Sequence, residues 1–285
     1  MRFRYFLMTE NTFHASYLVT KWIDTFAGSP GNAGVVLREA PLSAELRRAR
    51  AEFHRQHQGR RELTSQAWRD LEQLYPGLSE TERAMVAAFG VPAHTVAEEP
   101  NTVFIGRKAN DASVKEWLAD QCSGPVKPFF FIFLDRMLAP WWIDLTGSRI
   151  INAHSAVLPI ARGAHAIEQI AAAQDVKRFS ASVGATAHYV DTGVDSGPIV
   201  AGARFNDPFQ FDSIWDCKAH LFMLAFDVLA NVAKQLTERP SISPLGIVPD
   251  LTGSCRDFKF AEFTEERRRQ AELGYLAMRE NADRS

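Results

Sequence analysis

The chain predicts an α/β fold: a Rossmann-like, mostly parallel twisted sheet flanked by helices, with a helical insertion and a helical C-terminal region. Three observations carry that prediction. Segments of strand character alternate with segments of helical period, as successive βαβ units require. One segment, Phe129-Phe130-Phe131-Ile132-Phe133-Leu134, is an unbroken apolar run, which is how a strand covered on both faces of a parallel sheet reads. With 285 residues, 46% hydrophobic and 23% charged, the chain is long enough to bury a large core.

Taken in order, Phe3 to Met8 is the first strand. Its apolar run is short and stops at Thr9-Glu10-Asn11, so the basic and apolar N-terminus reads as a strand and not as a signal peptide. Phe13 to Phe26 places Tyr17, Leu18, Ile23 and Phe26 at near-helical spacing and is closed by Gly28 and Pro30. Gly34 to Leu37 is the second strand and completes a βαβ unit with a right-handed crossover. Residues 42 to 57 and 62 to 89 are polar and helical, broken at Pro76-Gly77 and restarted by a Ser79-x-x-Glu82 capping box. Residues 42 to 90 therefore form a helical insertion, either a lid or an oligomer contact. After Gly90-Val91-Pro92 come short strands at His94 to Ala97 and Val103 to Ile105, then a helix to Gln121 with Asp111 placed to cap it.

The Phe129 run is the middle of the sheet, and Arg149 to Asn152 is the next strand. Residues 163 to 173 form a helix, and Ala185 to Val190 and Ile199 to Phe205 form further strands joined by a Gly-containing loop. A long helix at about 212 to 237 has Ile214, Leu221, Leu224, Ala225, Val228, Leu229 and Val232 at its apolar positions. The last helix, about 264 to 280, is highly charged, and its Glu265-Glu266-Arg267-Arg268-Arg269 cluster is a solvated face.

Composition excludes several classes of function. A net charge of -2 with evenly spread Arg and Glu gives no nucleic-acid surface. No apolar run approaches the roughly 20 residues that cross a bilayer. Cys122, Cys217 and Cys255 are far apart, with neither a disulfide framework nor CxxC spacing, and the histidines show no ligand spacing. The expectation is a cytoplasmic protein without a metal or a membrane partner; a homo-oligomer stays open.

Chemistry concentrates in two stretches, Ile150-Ile151-Asn152-Ala153-His154-Ser155-Ala156-Val157-Leu158-Pro159 and Val190-Asp191-Thr192-Gly193-Val194-Asp195-Ser196-Gly197-Pro198. They unite an amide, an imidazole and a carboxylate, and the first sits at a strand's carboxyl end, where open parallel sheets bind ligands. An amide can hold a developing oxyanion, an imidazole can move a proton, and a carboxylate can set the imidazole's pKa. These are the needs of acyl transfer to nitrogen. Each residue also has a local reading. Asn152 and His154 can simply end a strand, Asp195 can cap the turn before Gly197-Pro198, Asp191 can shape its loop, and His188 and His165 can be structural.

INAHSAVLP, followed by ARGAHAIEQI and GATAHYVDTGVDSGP and preceded by FLDRML, resembles the folate-dependent formyltransferase family over Phe129 to Pro198, with weaker agreement in GVPAHTV and the first βαβ unit. That family includes glycinamide ribonucleotide transformylases, methionyl-tRNA formyltransferases, sugar N-formyltransferases and hydroxyornithine formyltransferases. The resemblance implies that Asn152, His154 and Asp195 are the catalytic trio. It implies 10-formyltetrahydrofolate as co-substrate and direct transfer through a tetrahedral intermediate. By the same resemblance Arg136, Met137 and Leu138 line the pteridine site with Asp191 and Val194, although Met137 and Leu138 can also be plain core. Residues 1 to 206 then form the catalytic domain, and residues 207 to 285 a helical extension packed on the same domain.

Departures from the family narrow the acceptor. Where the purine-pathway enzymes carry a Gly-rich phosphate loop, this chain reads Met8-Thr9-Glu10-Asn11-Thr12, with no glycine and an acidic residue. The region after Pro198 is mainly helical and not strongly basic, which disfavours tRNA. Formyltetrahydrofolate deformylases begin with a regulatory domain, whereas Phe3 to Met8 already fits the catalytic first strand. What remains is a small-molecule amine or hydroxylamine. INAHSAVLP, ARGAHAIEQI and DPFQFDSIWDCKAH are most similar to the hydroxyornithine formyltransferases of siderophore biosynthesis, and Glu10 and Arg162 are the expected partners of an amino-acid acceptor. A sugar-nucleotide N-formyltransferase is the alternative. A hydrolase and an idle folate-binding protein stand behind it.

Overall fold

The computed structural model describes residues 3–98, 101–239, 245–252 and 257–282. Cys255 lies outside them. The strands are β1 (Tyr5–Glu10), β2 (Asn32–Arg38), β3 (Val103–Phe104), β4 (Phe129–Ile132), β5 (Ile150–His154), β6 (Gly184–Tyr189) and β7 (Ile199–Arg204). The helices are α1 (Phe13–Phe26), α2 (Ala44–His57), α3 (Ser65–Leu74), α4 (Glu80–Phe89), α5 (Ala112–Gln121), α6 (Pro140–Thr146), α7 (Ala166–Ala172), α8 (Val176–Ser182), α9 (Ile214–Glu238) and α10 (Glu265–Ala282). The seven strands run in the order β3-β2-β1-β4-β5-β6-β7, so the Phe129 run is indeed the middle strand.

Two compact units emerge: Met1–Asn152 with Ala233–Ser243, and Ala153–Val232 with Pro244–Ser285. In the first unit β1 pairs in parallel with β2 and with β4, and β4 with β5. Alternation along β1 and β4 sends side chains to opposite faces. Tyr5 and Phe131 meet Trp22 of α1 on one face. Phe6 stacks on Phe130 at 5.0 Å on the other, where Trp117 of α5 and Trp142 of α6 meet them edge-on. Both faces are covered, which is why the run shows no polar alternation.

The insertion folds as α2, α3 and α4, each started by a side-chain cap from Ser43, Thr64 and Ser79, and Ser79 with Glu82 makes the full capping box. Several expectations need correction. Residues 94 to 97 are turn and bend, held by the Glu98 carboxylate on the Thr95 amide, and form no strand. Asp111 sits at the cap of α5 without a side-chain capping bond. The helices α6 and α8, at seven residues each, are too short to carry a periodic signal in the sequence.

In the second unit β6 and β7 are antiparallel, the exception in a mostly parallel sheet. Its core joins Ile167, Ile170 and Phe179 to Ile214 and Leu221 of α9 and Tyr275 of α10. The charged last helix is therefore docked. Ala271, Gly274, Tyr275 and Met278 form its buried stripe, and Gly274 fits so closely that a β-carbon there would lie 2.1 Å from the Ala171 carbonyl oxygen of α7. Among the described residues no helix is long and apolar enough to cross a membrane, and no group of three His, Cys, Asp or Glu side chains is placed to hold a metal ion.

Candidate active site

The chain steps from β1 through β2 to β3 in one direction and continues from β4 to β5 in the other, so the topological switch point lies between β1 and β4. Ligands of such sheets bind outside the carboxyl ends of the strands at that point. Met8, Ile132 and Asn152 stand side by side across β1, β4 and β5. Asn152 and His154, two residues apart on β5, point to the same face.

In the second unit, Asp195 is the centre of a polar cluster. Its Oδ2 lies 3.6 Å from His154 Nδ1 and accepts from the Gly163 amide at 2.8 Å, and its Oδ1 lies 3.5 Å from His188 Nε2. The carboxylate and both rings are largely buried. Burial alone would raise the Asp195 carboxyl, but the charge of His154, the bond and charge of His188 and the Gly163 amide together hold it well below the usual carboxylate range. Burial pushes the His154 imidazole below its ordinary value, with Asp195 pulling it back up.

Backbone carbonyls fix the protons on the two rings. A carbonyl only accepts, so His154 Nε2, 2.8 Å from the Ala161 oxygen, donates to it. His188 Nδ1 likewise donates to the Tyr189 oxygen at 2.9 Å. The ring nitrogens left over, His154 Nδ1 and His188 Nε2, both face Asp195. The carboxylate thus stands between two basic nitrogens, a seat for one extra proton.

Local structure explains how the sequence builds this seat. Gly163 has φ +90, and a β-carbon there would lie 2.2 Å from the Phe258 oxygen, so only glycine brings its amide to Asp195. Asp195 itself has φ +46, in the left-handed region. Asp191 Oδ1 accepts from the Gly193 amide and the Ser196 hydroxyl, the loop-shaping role. Arg162 is engaged within the same unit, by Asp257 at 2.5 Å and the Val194 carbonyl at 3.5 Å. Behind the cluster Lys218 and Glu168 form a buried pair at 3.2 Å. Burial would raise Glu168, yet Lys218 and His165 bring it down to about 2.

In the first unit Glu10 ends β1. Its carboxylate accepts from Arg38, which also reaches Asp135 at 3.1 Å. Burial and the neighbouring Asp135 outweigh Arg38 and push the Glu10 carboxyl up to about 7. Past β4, Arg136 and Met137 are exposed, while Leu138 is buried. Asn110 pins their loop by donating to the Met137 carbonyl at 3.1 Å and accepting from the Ala139 amide at 2.8 Å.

Arg38 and Asp135, 97 positions apart, meet only in the fold, and Asn110 reaches the Met137 carbonyl from 27 positions away, so no local spacing announces either contact. The Arg162-Gly163 step was visible as part of the family wording, though not its bond to Asp195.

Residues 81–206 match the family model described as formyl transferase. The formyltetrahydrofolate deformylase of Escherichia coli strain K12 is 32% identical over 126 residues, which are 44% of this chain and 40% of that protein. The phosphoribosylglycinamide formyltransferase of Bacillus subtilis strain 168 is 38% identical over 104 residues, 35% of this chain and 49% of that protein. The chain thus spans less than half the length of these two curated relatives. A solved structure of an N-formyltransferase from Helicobacter canadensis, in complex with folinic acid and dTDP-3-aminofucose, aligns over 95% of this chain and 80% of its own with a TM-score of 0.50 at 11% identity. The fold is that of the Rossmann-like formyltransferases, and the stretch similar to the formyl transferase family contains Asn152, His154, His188 and Asp195.

Proposed function

We propose that the chain is a 10-formyltetrahydrofolate-dependent N-formyltransferase whose acceptor is the side-chain hydroxylamine of N-hydroxyornithine. The observation that carries the reaction is the Asp195 carboxylate set between His154 and His188, with Asn152 on the strand that bears His154 and all four inside the formyl transferase match. The acceptor rests on the wording of INAHSAVLP, ARGAHAIEQI and DPFQFDSIWDCKAH and on the absence of a glycine loop at Met8 to Thr12.

In this reading the acceptor nitrogen forms a bond to the formyl carbon, and the carbonyl π electrons move to oxygen. The Asn152 amide donates to that oxygen as it gains charge. On collapse the bond to folate N10 breaks and its electron pair leaves with N10. One proton passes from the acceptor nitrogen to N10, and the seat between His154, His188 and Asp195 carries it meanwhile. The Nε2 proton of His154, held on the Ala161 carbonyl at 2.8 Å, is the one that can turn toward the substrate. Of the donor, the loop of Arg136, Met137 and Leu138 and the turn of Asp191 and Val194 hold the pteridine. A hydroxylamine is largely neutral at pH 7 and needs only a weak base, which suits a histidine lowered by burial.

The test is a panel of N-hydroxyornithine, ornithine, lysine derivatives and amino-sugar nucleotides offered with 10-formyltetrahydrofolate and read by product mass. Formylated hydroxyornithine is expected. Asn152→Ala, His154→Ala and Asp195→Asn should each cut kcat by ~10²–10³ or more. Transfer that survives both His154→Ala and Asp195→Asn would falsify the mechanism. The Helicobacter canadensis enzyme's complex with folinic acid and dTDP-3-aminofucose favours a second reading, a sugar-nucleotide acceptor, which wins if only the amino-sugar nucleotide gains formyl mass. Release of free formate with no formylated acceptor would point to the hydrolase represented by the deformylase relatives.

A further inference from the structure

We propose that α2, α3 and α4 are a specificity clamp for the acceptor: Arg50, through Asn11, and Glu82, through His14, fix the β1–α1 turn in a form that admits an amine or hydroxylamine and refuses a phosphate. This rests on the acyl-transfer reading above and supplies a role for the insertion.

Position comes first. The turn of Glu10, Asn11 and Thr12 leaves the carboxyl end of β1 at the switch point, and β1 is two strands from β5. Neighbouring strands lie about 4.8 Å apart, so the turn stands on the order of 10 Å across the sheet from the strand of Asn152. That is the span of a small acceptor.

Two ties from the insertion hold this turn. Arg50 of α2 is only 3% exposed, and the groups its guanidinium reaches are neutral: the Leu74 carbonyl twice, the Asn11 side-chain oxygen, and the face of Tyr75 at 3.9 Å. A guanidinium costs much to bury. Here it commits one arm to a loop residue outside its own helices, which turns the Asn11 amide toward Glu39 at 3.5 Å. The second tie is Glu82 of α4. Its Oε1 accepts from the His14 backbone amide at 3.0 Å and lies 3.1 Å from His14 Nδ1, while its Oε2 takes the Ser79 amide and hydroxyl.

The second tie also sets the charge of the turn. The first turn of a helix after a β-strand offers unpaired amides and a partial positive charge, the usual place for a phosphate. In this chain an internal carboxylate already holds the His14 amide there. A phosphate would forfeit that donor and meet the Glu82 carboxylate as a like charge. An acceptor amine or hydroxylamine finds instead the Glu10 carboxyl, held by Arg38, and the Asp135 carboxylate, paired with Arg38 and Arg136.

Three measurements on the whole chain decide this. With the best acceptor of the panel, Arg50→Met, Asn11→Ala and Glu82→Gln should raise acceptor KM roughly tenfold while kcat and donor KM hold, and Arg50→Lys should restore part of the loss. Arg55→Ala, on the exposed side of α2, is the control. Amide hydrogen exchange at residues 11–16 should quicken in Arg50→Met and Glu82→Gln, with no change in the β4 amides. Unchanged exchange at 11–16 overturns the clamp, as does a fall in kcat at unchanged acceptor KM. Inorganic phosphate that competes with the acceptor as strongly in the unmodified chain as in Glu82→Gln overturns the refusal of phosphate. If the unmodified chain formylates no member of the panel, the acyl-transfer reading falls, and the exchange measurement still decides the clamp.

Discussion

At the scale of single residues, charge is placed where titration becomes measurable. Glu10 holds its proton up to about 7 because burial and Asp135 outweigh Arg38. A carboxyl raised in the folded state stabilises below its unfolded pKa and loses that contribution as pH rises through the folded one. Glu10→Gln copies the protonated form. Its stability relative to the unmodified chain should therefore improve between pH 5 and 8, by on the order of 1–3 kcal/mol. Paired melting curves at the two ends check this, and an unchanged gap would remove the proton from Glu10. Asn152, His154 and Asp195 could be read from the sequence because each sits in wording with fixed spacing. His188 and Gly163 gain their roles only through the fold: one side chain and one amide from distant segments meet at Asp195. Arg162, read as an acceptor partner, is engaged by Asp257, a residue that nothing near it in sequence announces.

At the scale of elements, long helices with strong periodicity were legible; of the three seven-residue helices only α7, inside the expected 163 to 173, was. α1, α2 and α9 keep close to their expected bounds, whereas α6 and α8 have too few turns to show a stripe. The last helix is instructive. Its charge hid the spacing of Ala271, Gly274, Tyr275 and Met278, which is the spacing of one helical face. Gly274→Ala would drive a methyl into the α7 backbone, so α10 must shift. We expect a loss of about 1–3 kcal/mol, read as a lower denaturant midpoint. A midpoint equal to that of the unmodified chain would mean that α10 does not dock on α7 in solution. The capping box of α4 permits a cleaner test: Ser79→Ala removes the side chain that accepts from the Glu82 amide and should cost about 1 kcal/mol.

For the molecule as a whole, the buried titratable groups set an acid limit. Burial lowers His54 to about 4, so its contribution fades as pH falls from 6.5 toward 4. Glu10 has the opposite slope over nearly the same interval. His154, also lowered by burial, adds to the slope of His54, so Glu10 offsets only part of it and stability should rise with pH between about 5 and 7. Below that, nothing opposes the carboxylates. Burial raises Glu82 and Glu168, but His14 and the Ser79 amide bring the first, and Lys218 and His165 the second, to about 2; Asp195 lies lower still. Each stabilises above its unfolded pKa and is lost as pH falls through the folded one, so stability should collapse from about pH 4 downward. Melting temperatures taken from pH 3 to 8 test both parts, and a level or falling profile across 5 to 7 would contradict the excess of histidine over Glu10. The net charge of -2 is too small to add a strong repulsive slope of its own.

The left-handed backbone of Asp195, φ +46, decides how its chemistry can be dissected. Asparagine adopts that conformation readily among non-glycine residues, whereas alanine meets a steric penalty of roughly 1 kcal/mol or more. Replacement by asparagine therefore keeps the loop's shape and removes only the charge, while replacement by alanine removes both. The difference between the two variants measures how much of the residue's worth is posture and how much is electrostatics.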